Sequence, residues 1–329
     1  MEISKVLWLS EEQVKSVNLS TKEVIDAVEE GFKLKAEKKV KLPSKIGVHP
    51  RANCFIHAMP CLIKGDIDTV GVKWISGYPS NTDKGVPYIN GTILINDSET
   101  GLLKAVIGAN RITAWRTGAA TGLCARYMAK PDTEIVAVIG LGVEGTSNLL
   151  ALKEVLPKIK IVKIYDISKE QIMKYEKNMS SRFPGVSFIS CKDTETTVQG
   201  ADIIVTCTPI IDKPKRFIHS SWLKKDVLAI AVDYDSAFDA DIMTGGKFIC
   251  DDKNQYLKTQ RETNYFQNGY PSENQIYADM GEIVSGIKES VKKGVRGAVL
   301  MGLASHDIMT GWILYKKALE KGIGTWLKR

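Results

Sequence analysis

Three glycines, Gly140, Gly142 and Gly145, follow directly on the apolar run Ile135–Ile139 and open a segment with helical periodicity. In a strand–turn–helix unit the first glycine permits a tight turn, the second lets a pyrophosphate approach the backbone, and the third allows helix and strand to pack closely. The amino terminus of the helix then receives phosphate charge. The spacing predicts a dinucleotide-binding turn, and the alternative is a structural glycine turn in another kind of α/β domain.

An acidic residue at the right distance strengthens this interpretation. A second apolar run, Ile161–Tyr165, ends at Asp166, 21 positions after Gly145. An acid about 20 residues after the glycines commonly accepts a hydrogen bond from the ribose 2′-hydroxyl. Because a carboxylate repels a 2′-phosphate, the sequence favours NAD(H) over NADP(H), with Lys163 and Lys169 nearby as the opposing consideration.

Apolar runs alternate with helical patterns from residue 134 to residue 252. This alternation predicts a parallel sheet with helices on both faces. The runs read IVAVIG, IVKIYD, VSFISC, DIIVTCT, VLAIAVD and KFICDD. Beyond residue 252 the pattern weakens into a polar loop, 263–271, that is rich in Tyr and Asn.

The amino-terminal third has a different pattern. Ser20 and Glu23 have the spacing of a capping box, which predicts a helix from there to about residue 38. Strand-like runs at 53–59, 69–75 and 88–95, a return strand at 102–107 and a helix at 113–128 follow. An apolar last helix is predicted at 305–321, and we expect no further strand after it. The helix should therefore pack back on the amino-terminal region.

Composition limits the kind of protein. Hydrophobic residues make up 44% and charged residues 25% of the 329 residues, as in ordinary globular proteins. The absence of a long apolar stretch and of a leader pattern predicts a cytoplasmic protein without a membrane partner. The six cysteines and four histidines lack metal or disulfide spacing, so we expect no metal. The net charge is +7, but the sequence contains no nucleic-acid recognition motif, so we expect no nucleic-acid partner. An anionic small molecule is compatible with this charge.

Three polar residues are candidates for chemistry. Lys73 lies in an apolar strand that would partly dehydrate its ammonium and make its pKa adjustable; the alternative is a lysine on the solvent face. The guanidinium of Arg116 suits a carboxylate or phosphate, and the alternative is a structural ion pair. Asp233 follows an apolar run at the end of a strand, where sites of parallel sheets gather, although Asp235, Asp239 and Asp241 crowd the same loop.

The chain resembles the ornithine cyclodeaminase and mu-crystallin family along nearly its whole length. The matching blocks, in the family's order, are HAMP at 57–60, GVKW at 71–74, GYPSNTDKG at 77–85, INDSETG at 95–101, RTGAA at 116–120 and GLG at 140–142. The resemblance implies an α/β fold in which a Rossmann NAD-binding domain, 129–303, is inserted in a mixed α+β substrate-binding and dimerisation domain, 1–128 plus 304–329. It also implies a homodimer.

The resemblance further implies roles for individual residues. Lys45, Lys73 and Arg116 would hold the substrate, and Lys73 and Asp233 would be catalytic. The cofactor contacts would be Arg116, Thr117, Gly140, Gly142, Val143, Glu144, Gly145, Asp166, Thr208 and Met301.

Departures from the family pattern leave the substrate open. His57 stands where ornithine cyclodeaminase has an acid, and Tyr88 stands where the family usually has threonine, which would narrow the substrate pocket. The expected activity is NAD-dependent hydride transfer at the C–N bond of a small anionic α-amino, α-imino or keto acid. Ornithine cyclodeamination and cofactor-stabilised binding without catalysis are the alternatives, and His57 argues against the first.

Overall fold

The computed structural model describes residues 5–329. In chain order the helices are α1 (Glu11–Val17), α2 (Thr21–Ala36), α3 (Asn110–Met128), α4 (Val143–Val155), α5 (Lys169–Arg182), α6 (Thr194–Val198), α7 (Ala240–Thr244), α8 (Lys253–Glu262), α9 (Met280–Val284) and α10 (Ala304–Glu320). The strands are β1 (Lys5–Leu9), β2 (Val40–Lys41), β3 (Ile46–Val48), β4 (Phe55–Ile63), β5 (Thr69–Gly77), β6 (Ile89–Asp97), β7 (Leu103–Gly108), β8 (Ile135–Ile139), β9 (Ile161–Tyr165), β10 (Ser187–Ser190), β11 (Ile203–Thr206), β12 (Val227–Ala231), β13 (Lys247–Cys250), β14 (Ile276–Asp279), β15 (Val295–Val299) and β16 (Thr325–Lys328).

The chain divides into two compact units. Unit 1 comprises the described residues up to Arg116 together with Gly302–Arg329, and unit 2 is Thr117–Met301. The first break falls inside α3, twelve residues before the domain boundary expected from the sequence. Helix α3 continues without interruption across this point, so the local sequence does not indicate where the two units divide.

Unit 1 is built on a mainly antiparallel sheet of eight strands. Its order is β16-β1-β7-β6-β5-β4-β2, with β3 paired to β4. Helix α2 begins at the predicted capping box, in which the Glu23 carboxylate accepts a hydrogen bond from the Ser20 N–H at 2.8 Å, and ends at Ala36, two residues before the expected end. Helix α10 packs on α2 and on strands β4, β5 and β6, which confirms that the last helix returns to the amino-terminal elements.

The expectation that no strand follows the last helix is wrong. Strand β16 pairs antiparallel with β1, with Lys5 opposite Lys328 and Trp8 opposite Thr325. The strand has only four residues, which is too short for a reliable alternation of apolar and polar positions. Its pairing partner lies at the other end of the chain, so the local sequence alone gives little sign of it.

Unit 2 is a parallel sheet of eight strands in the order β10-β9-β8-β11-β12-β15-β13-β14, which confirms the predicted α/β fold. Strand β15 was not predicted, although it lies between β12 and β13. Gly297 interrupts its apolar run because α7 packs closely there: a Cβ at this position would lie 2.6 Å from the Met243 sulfur. In residues 5–329 no helix is long and apolar enough to cross a bilayer.

Candidate active site

The glycine turn lies between β8 and α4, and each glycine has its own structural reason. Gly140 has a φ of +87°, and a Cβ there would lie 2.5 Å from the Cys207 carbonyl oxygen. A Cβ at Gly145 would lie 2.2 Å from the Gly140 carbonyl oxygen, so helix and strand approach too closely for any larger residue. At Gly142, by contrast, no described atom lies within 4 Å of the Cβ position, which leaves open space for a bound group.

The amino terminus of α4 fits a pyrophosphate. Gly142 caps the helix without a side-chain hydrogen bond, so the first N–H groups of α4 have no side-chain cap. Such groups, together with the helix dipole, bind phosphate oxygens. Val143 is exposed at the first position, and Glu144 accepts a hydrogen bond from the Ser147 hydroxyl at 3.3 Å.

Asp166 is held beside the glycine turn at the end of β9. Its carboxylate oxygens accept hydrogen bonds from the Leu141 N–H and the Ser168 N–H, each at 2.9 Å. Each carboxylate oxygen has more than one lone pair, so Asp166 retains capacity to accept from a ribose hydroxyl. The Lys163 ammonium donates instead to the carbonyl oxygens of Thr196 and Gln199, at 3.0 and 2.6 Å. The turn therefore suits a dinucleotide without a 2′-phosphate.

Asp233 connects the carboxyl ends of the neighbouring strands β11 and β12. It accepts hydrogen bonds from the hydroxyls of Thr206 and Thr208, at 2.6 and 2.5 Å, and from the Thr208 N–H at 3.0 Å. Burial raises the pKa of Asp233 above its ordinary value, and the hydrogen bonds from the two threonines oppose this rise. Asp233 thus fixes the loop that carries Thr208, one of the predicted cofactor contacts.

The residue after Asp233 has an unusual backbone. Tyr234 has a φ of 63°, in the left-handed region that a bulky side chain rarely adopts. Its ring packs against Tyr265 and Phe266, at centroid distances of 5.6 and 5.8 Å. Strain of this kind persists where the surrounding structure fixes it, and it is concentrated at functional sites.

Lys73 is fully buried on the inner face of the unit 1 sheet, which excludes the alternative of a solvent-facing lysine. The alternation of β5 places Lys73 inside, whereas the next residue, Trp74, is 54% exposed on the outer face. The Lys73 ammonium lies 2.7 Å from the Oδ1 atom of Asp307 on α10. Burial and the charge of Arg116 lower the pKa of Lys73 to about 7, although Asp307 opposes them.

Arg116, on α3, shares the carboxylate of Asp307 with Lys73. Its Nε donates to the same Oδ1 atom at 3.0 Å. The guanidinium lies against Gly302, where a Cβ would fall 1.8 Å from Nη1. Only glycine leaves room for this arrangement, and the φ of +79° at Gly302 also favours glycine. Arg116 thus forms the ion pair that the sequence offered as its alternative role, within the group that holds Lys73.

Asp307 is the functional candidate that the sequence analysis missed. It is fully buried, and its Oδ2 atom accepts no hydrogen bond from residues 5–329. Burial alone would raise the pKa of Asp307, but the charges of Lys73 and Arg116 hold it below the ordinary value. The sequence feature that could have identified Asp307 is its position next to Ile308 on the apolar stripe of α10. An acid on a buried helix face requires cationic partners.

His57 and Lys45 belong to the same region of unit 1. His57 lies opposite Ile75 in the β4–β5 register, and Met59 lies opposite Lys73, so His57 and Lys73 share one face. Burial, together with the positive charges of Lys45, His49 and Lys73, lowers the pKa of His57 to about 3. The predicted residues Lys45, His57, Lys73 and Arg116 therefore come together as a basic cluster, in which Lys73 and Arg116 are bonded to Asp307.

The remaining predicted residues lie as follows. Tyr88 is half-buried just before β6, and its carbonyl oxygen accepts a hydrogen bond from the Tyr78 N–H at 2.9 Å. Thr117 and Met301 are both buried, and they are the first and last residues of unit 2. Their contact with a cofactor stays a prediction.

Unit 2 has the sheet order of a dinucleotide-binding α/β domain, with an open glycine turn and an acid at the end of the neighbouring strand that suit NAD(H). The chain belongs to the ornithine cyclodeaminase/mu-crystallin family, whose model matches residues 5–322, and the resemblance seen in the sequence is confirmed.

Three relatives illustrate the likeness. Alanine dehydrogenase of Archaeoglobus fulgidus is 29% identical, over 98% of each chain. The structure of Thermococcus litoralis Δ1-pyrroline-2-carboxylate reductase with NADH and L-proline has a TM-score of 0.87 and 29% identity, and covers 97% of this chain and 99% of that one. An archaeal alanine dehydrogenase dimer with bound NAD has a TM-score of 0.87 and 28% identity, and covers 98% and 99%.

Proposed function

We propose that the protein transfers hydride between NAD(H) and the nitrogen-bearing carbon of a small α-amino or α-imino acid. The observation that carries this proposal is the buried Lys73, whose ammonium contacts the same carboxylate oxygen as Arg116. A lysine with a pKa near neutrality can both donate and accept a proton. The activities named for the relatives, alanine dehydrogenase and Δ1-pyrroline-2-carboxylate reductase, belong to this reaction class.

The basic cluster would bind and polarise the substrate. Arg116 and Lys45 hold the α-carboxylate, since a guanidinium fork matches carboxylate geometry. Lys73 donates a proton to the substrate nitrogen or oxygen during reduction and takes it back during oxidation. Asp307 holds Lys73 and Arg116 at fixed positions and offsets part of their mutual repulsion.

The residues of the glycine turn would hold the cofactor. Gly142 and the start of α4 bind the pyrophosphate, and Asp166 binds the ribose. When bound, NAD(H) supplies or accepts the hydride. Asp233 fixes Thr208 through two hydrogen bonds, and its predicted role as a second proton carrier is part of the proposal.

The test is an NADH-oxidation screen of 2-oxo acids with ammonium or amines, together with cyclic imines. We expect turnover by the native protein, and loss of turnover with intact NADH binding in Lys73→Ala and Asp233→Asn. If Asp233 only positions Thr208, Asp233→Asn will instead weaken NADH binding. Full turnover in Lys73→Ala would overturn the proposal, and proline formation from ornithine without net NADH change would identify a cyclodeaminase.

We also propose that the protein is a homodimer formed through the outer face of the unit 1 sheet. Trp8 and Trp74 are 39% and 54% exposed on this face. On the same face, Val72 of β5 and the side chains of Leu94 and Val106 on the strands between the two tryptophans are only partly buried. An exposed apolar face of this extent typically marks an interface between chains. The archaeal alanine dehydrogenase structure is itself a dimer.

A further inference from the structure

A polar cavity lies at the edge of the unit 2 sheet opposite the glycine turn. The strands β8, β11, β12 and β15 are parallel neighbours, so their amino ends share one edge. A cavity of about 130 Å³ at this edge, which we call the amino-edge cavity, is lined by three basic and three acidic residues, Lys130, Lys224, Arg296, Asp132, Asp202 and Asp226. The glycine turn and Asp233 follow the carboxyl ends of β8 and β12, and a five-residue strand separates the two edges by about 16 Å. The cavity is therefore distinct from the cofactor-binding turn.

Arg296 is the buried centre of this group. It is the second residue of β15 and only 2% exposed, although a fully buried arginine is rare in proteins. Its Nη1 atom lies 2.9 Å from the Oδ1 atom of Asp226, but in residues 5–329 neither Nε nor Nη1 makes a hydrogen bond. Burial lowers the pKa of Arg296, and the charge of Asp226 opposes this shift. A buried guanidinium whose N–H groups lack acceptors is costly, which favours a ligand that supplies them.

The Asp226 carboxylate cannot fully neutralise Arg296, because it has a second cationic partner. The Lys130 ammonium contacts its Oδ2 atom, while Arg296 lies beside Oδ1. One negative charge is thus divided between two cations.

The other acids of the cavity do not make up the difference. The Oδ1 atom of Asp202 pairs with the Lys224 ammonium, and its Oδ2 atom accepts hydrogen bonds from the N–H groups of Glu134 and Ile135, at 3.0 and 2.9 Å. The third acid, Asp132, is exposed, and solvent screens its charge. Two carboxylates contact three cations, so one positive charge of the cavity is uncompensated.

The size and the charge of the amino-edge cavity suit a small anion. A cavity of about 150 Å³ can hold one benzene molecule, so the 130 Å³ here leave room for an ion the size of phosphate or acetate. The oxygens of such an ion would accept the unpaired N–H groups of Arg296, and hydrogen bonds between charged groups are the strong ones. Lys130 and Lys224, whose side chains are 42% and 39% exposed, lie at the opening and can turn toward the same ion.

We propose that the amino-edge cavity binds a small oxyanion, a phosphate or a carboxylate group, with Arg296 at its inner end and Lys130 and Lys224 at its opening. The site goes beyond the proposed function and does not depend on it, because none of its residues belongs to the glycine turn or to the basic cluster of unit 1. An anion bound there stabilises the folded protein, since the unfolded chain lacks the site.

The test measures binding directly. The NADH-loaded protein is titrated in a calorimeter with inorganic phosphate and, separately, with acetate, at constant ionic strength; bound NADH keeps phosphate away from the start of α4. We expect saturable binding of at least one of the two anions, and the one that binds more tightly identifies the class of ligand. In Arg296→Met, which keeps most of the side-chain volume, the affinity should fall at least tenfold.

A second variant decides the question if Arg296→Met does not fold. Lys224→Gln removes a half-buried cation at the opening and should weaken binding at least threefold. Lys160→Gln is the matched control, because Lys160 precedes β9 at the same edge, pairs with Glu134 at 2.5 Å and does not line the cavity. It should bind the anion as the native protein does.

Three results would overturn the inference. These are the absence of saturable binding at millimolar concentrations of either anion, an unchanged affinity in the cavity variants, and an equal loss of affinity in Lys160→Gln. The first would mean that water alone fills the cavity, and the third that the ion responds only to the general charge of this edge. None of them bears on turnover, so the proposed function stands or falls separately.

Discussion

At the scale of single residues, one carboxylate oxygen organises the charged centre of unit 1. Asp307 Oδ1 accepts from both Lys73 and Arg116, and all three side chains are buried. In a buried group, removal of one partner costs more than the interaction itself contributes, because it leaves the remaining charges uncompensated. Asp307 is therefore a positioning residue whose loss affects both stability and substrate binding.

Asp307→Asn tests this role. We expect the free energy of unfolding to fall by about 3–5 kcal/mol, because two buried cations lose their counter-ion. Urea denaturation measures the change. The matched control is Asp26→Asn, which removes an exposed carboxylate paired with Lys22, and which should cost less than about 1 kcal/mol. Equal losses in the two variants would contradict the role of Asp307.

The pKa of Lys73 predicts how the rate depends on pH. Below a pKa of about 7 the ammonium carries the proton that reduction consumes, so reductive kcat/KM should fall as the pH rises through 7. The oxidative rate should rise over the same range, since the neutral amine accepts the proton. Initial rates from pH 5.5 to pH 9 check both directions. Lys73→Arg should remove this titration, and a native profile unchanged between pH 6 and pH 8 would exclude Lys73 as the proton carrier.

Local spacing predicted much of the site but not its centre. Gly140, Asp166 and Lys73 are candidates that the sequence indicates, because the pattern that points to each one lies close in sequence, such as a preceding strand or a flanking apolar run. Asp307 was missed because its partner Lys73 lies 234 positions away and no local spacing relates the two. Only the acid on the apolar stripe of α10 pointed to a buried cation.

At the scale of elements, the turn between β15 and α10 determines where Arg116 can lie. Gly302 combines a positive φ with direct contact to the guanidinium, so a side chain there would conflict with both. The sequence indicated α2 through its capping box, and the hairpin of β6 and β7 through a run rich in β-branched residues and the turn residues that follow it. It did not mark β15, where Gly297 interrupts the apolar run, or β16, which has only four residues.

Gly302→Ala separates backbone strain from displacement of the arginine. We expect a loss of about 1–2 kcal/mol in the free energy of unfolding from the left-handed backbone, and at least a tenfold loss in kcat/KM because Arg116 must move. Gly286→Ala is the control, since Gly286 has a φ of +70° but no described atom within 4 Å of its Cβ position. The control should lose stability only, and a similar loss of kcat/KM in both variants would refute the contact as the cause.

At the scale of the whole molecule, the exposed tryptophans of the unit 1 sheet predict self-association. Trp74→Glu should convert the dimer into a monomer, because it places a charge in an apolar interface. Sedimentation velocity over a range of concentrations measures the change. Ile167→Glu is the control, since Ile167 is 93% exposed in unit 2 and should leave the assembly unchanged. A native protein that sediments as a monomer would contradict the proposed interface.

The division of unit 1 between the two ends of the chain has a consequence for biosynthesis. Unit 2 is continuous, so all of its strands are translated before α10. The ion pair between Lys73 and Asp307 cannot form until Asp307 is synthesised, 234 residues later. At about 5–20 residues per second, this interval lasts between about ten and fifty seconds. Until then the inner face of β4 to β6 lacks its covering helix, and transiently exposed apolar surface of this kind is prone to aggregation. The nascent chain is therefore most vulnerable in its first hundred residues, although these are the first to be made.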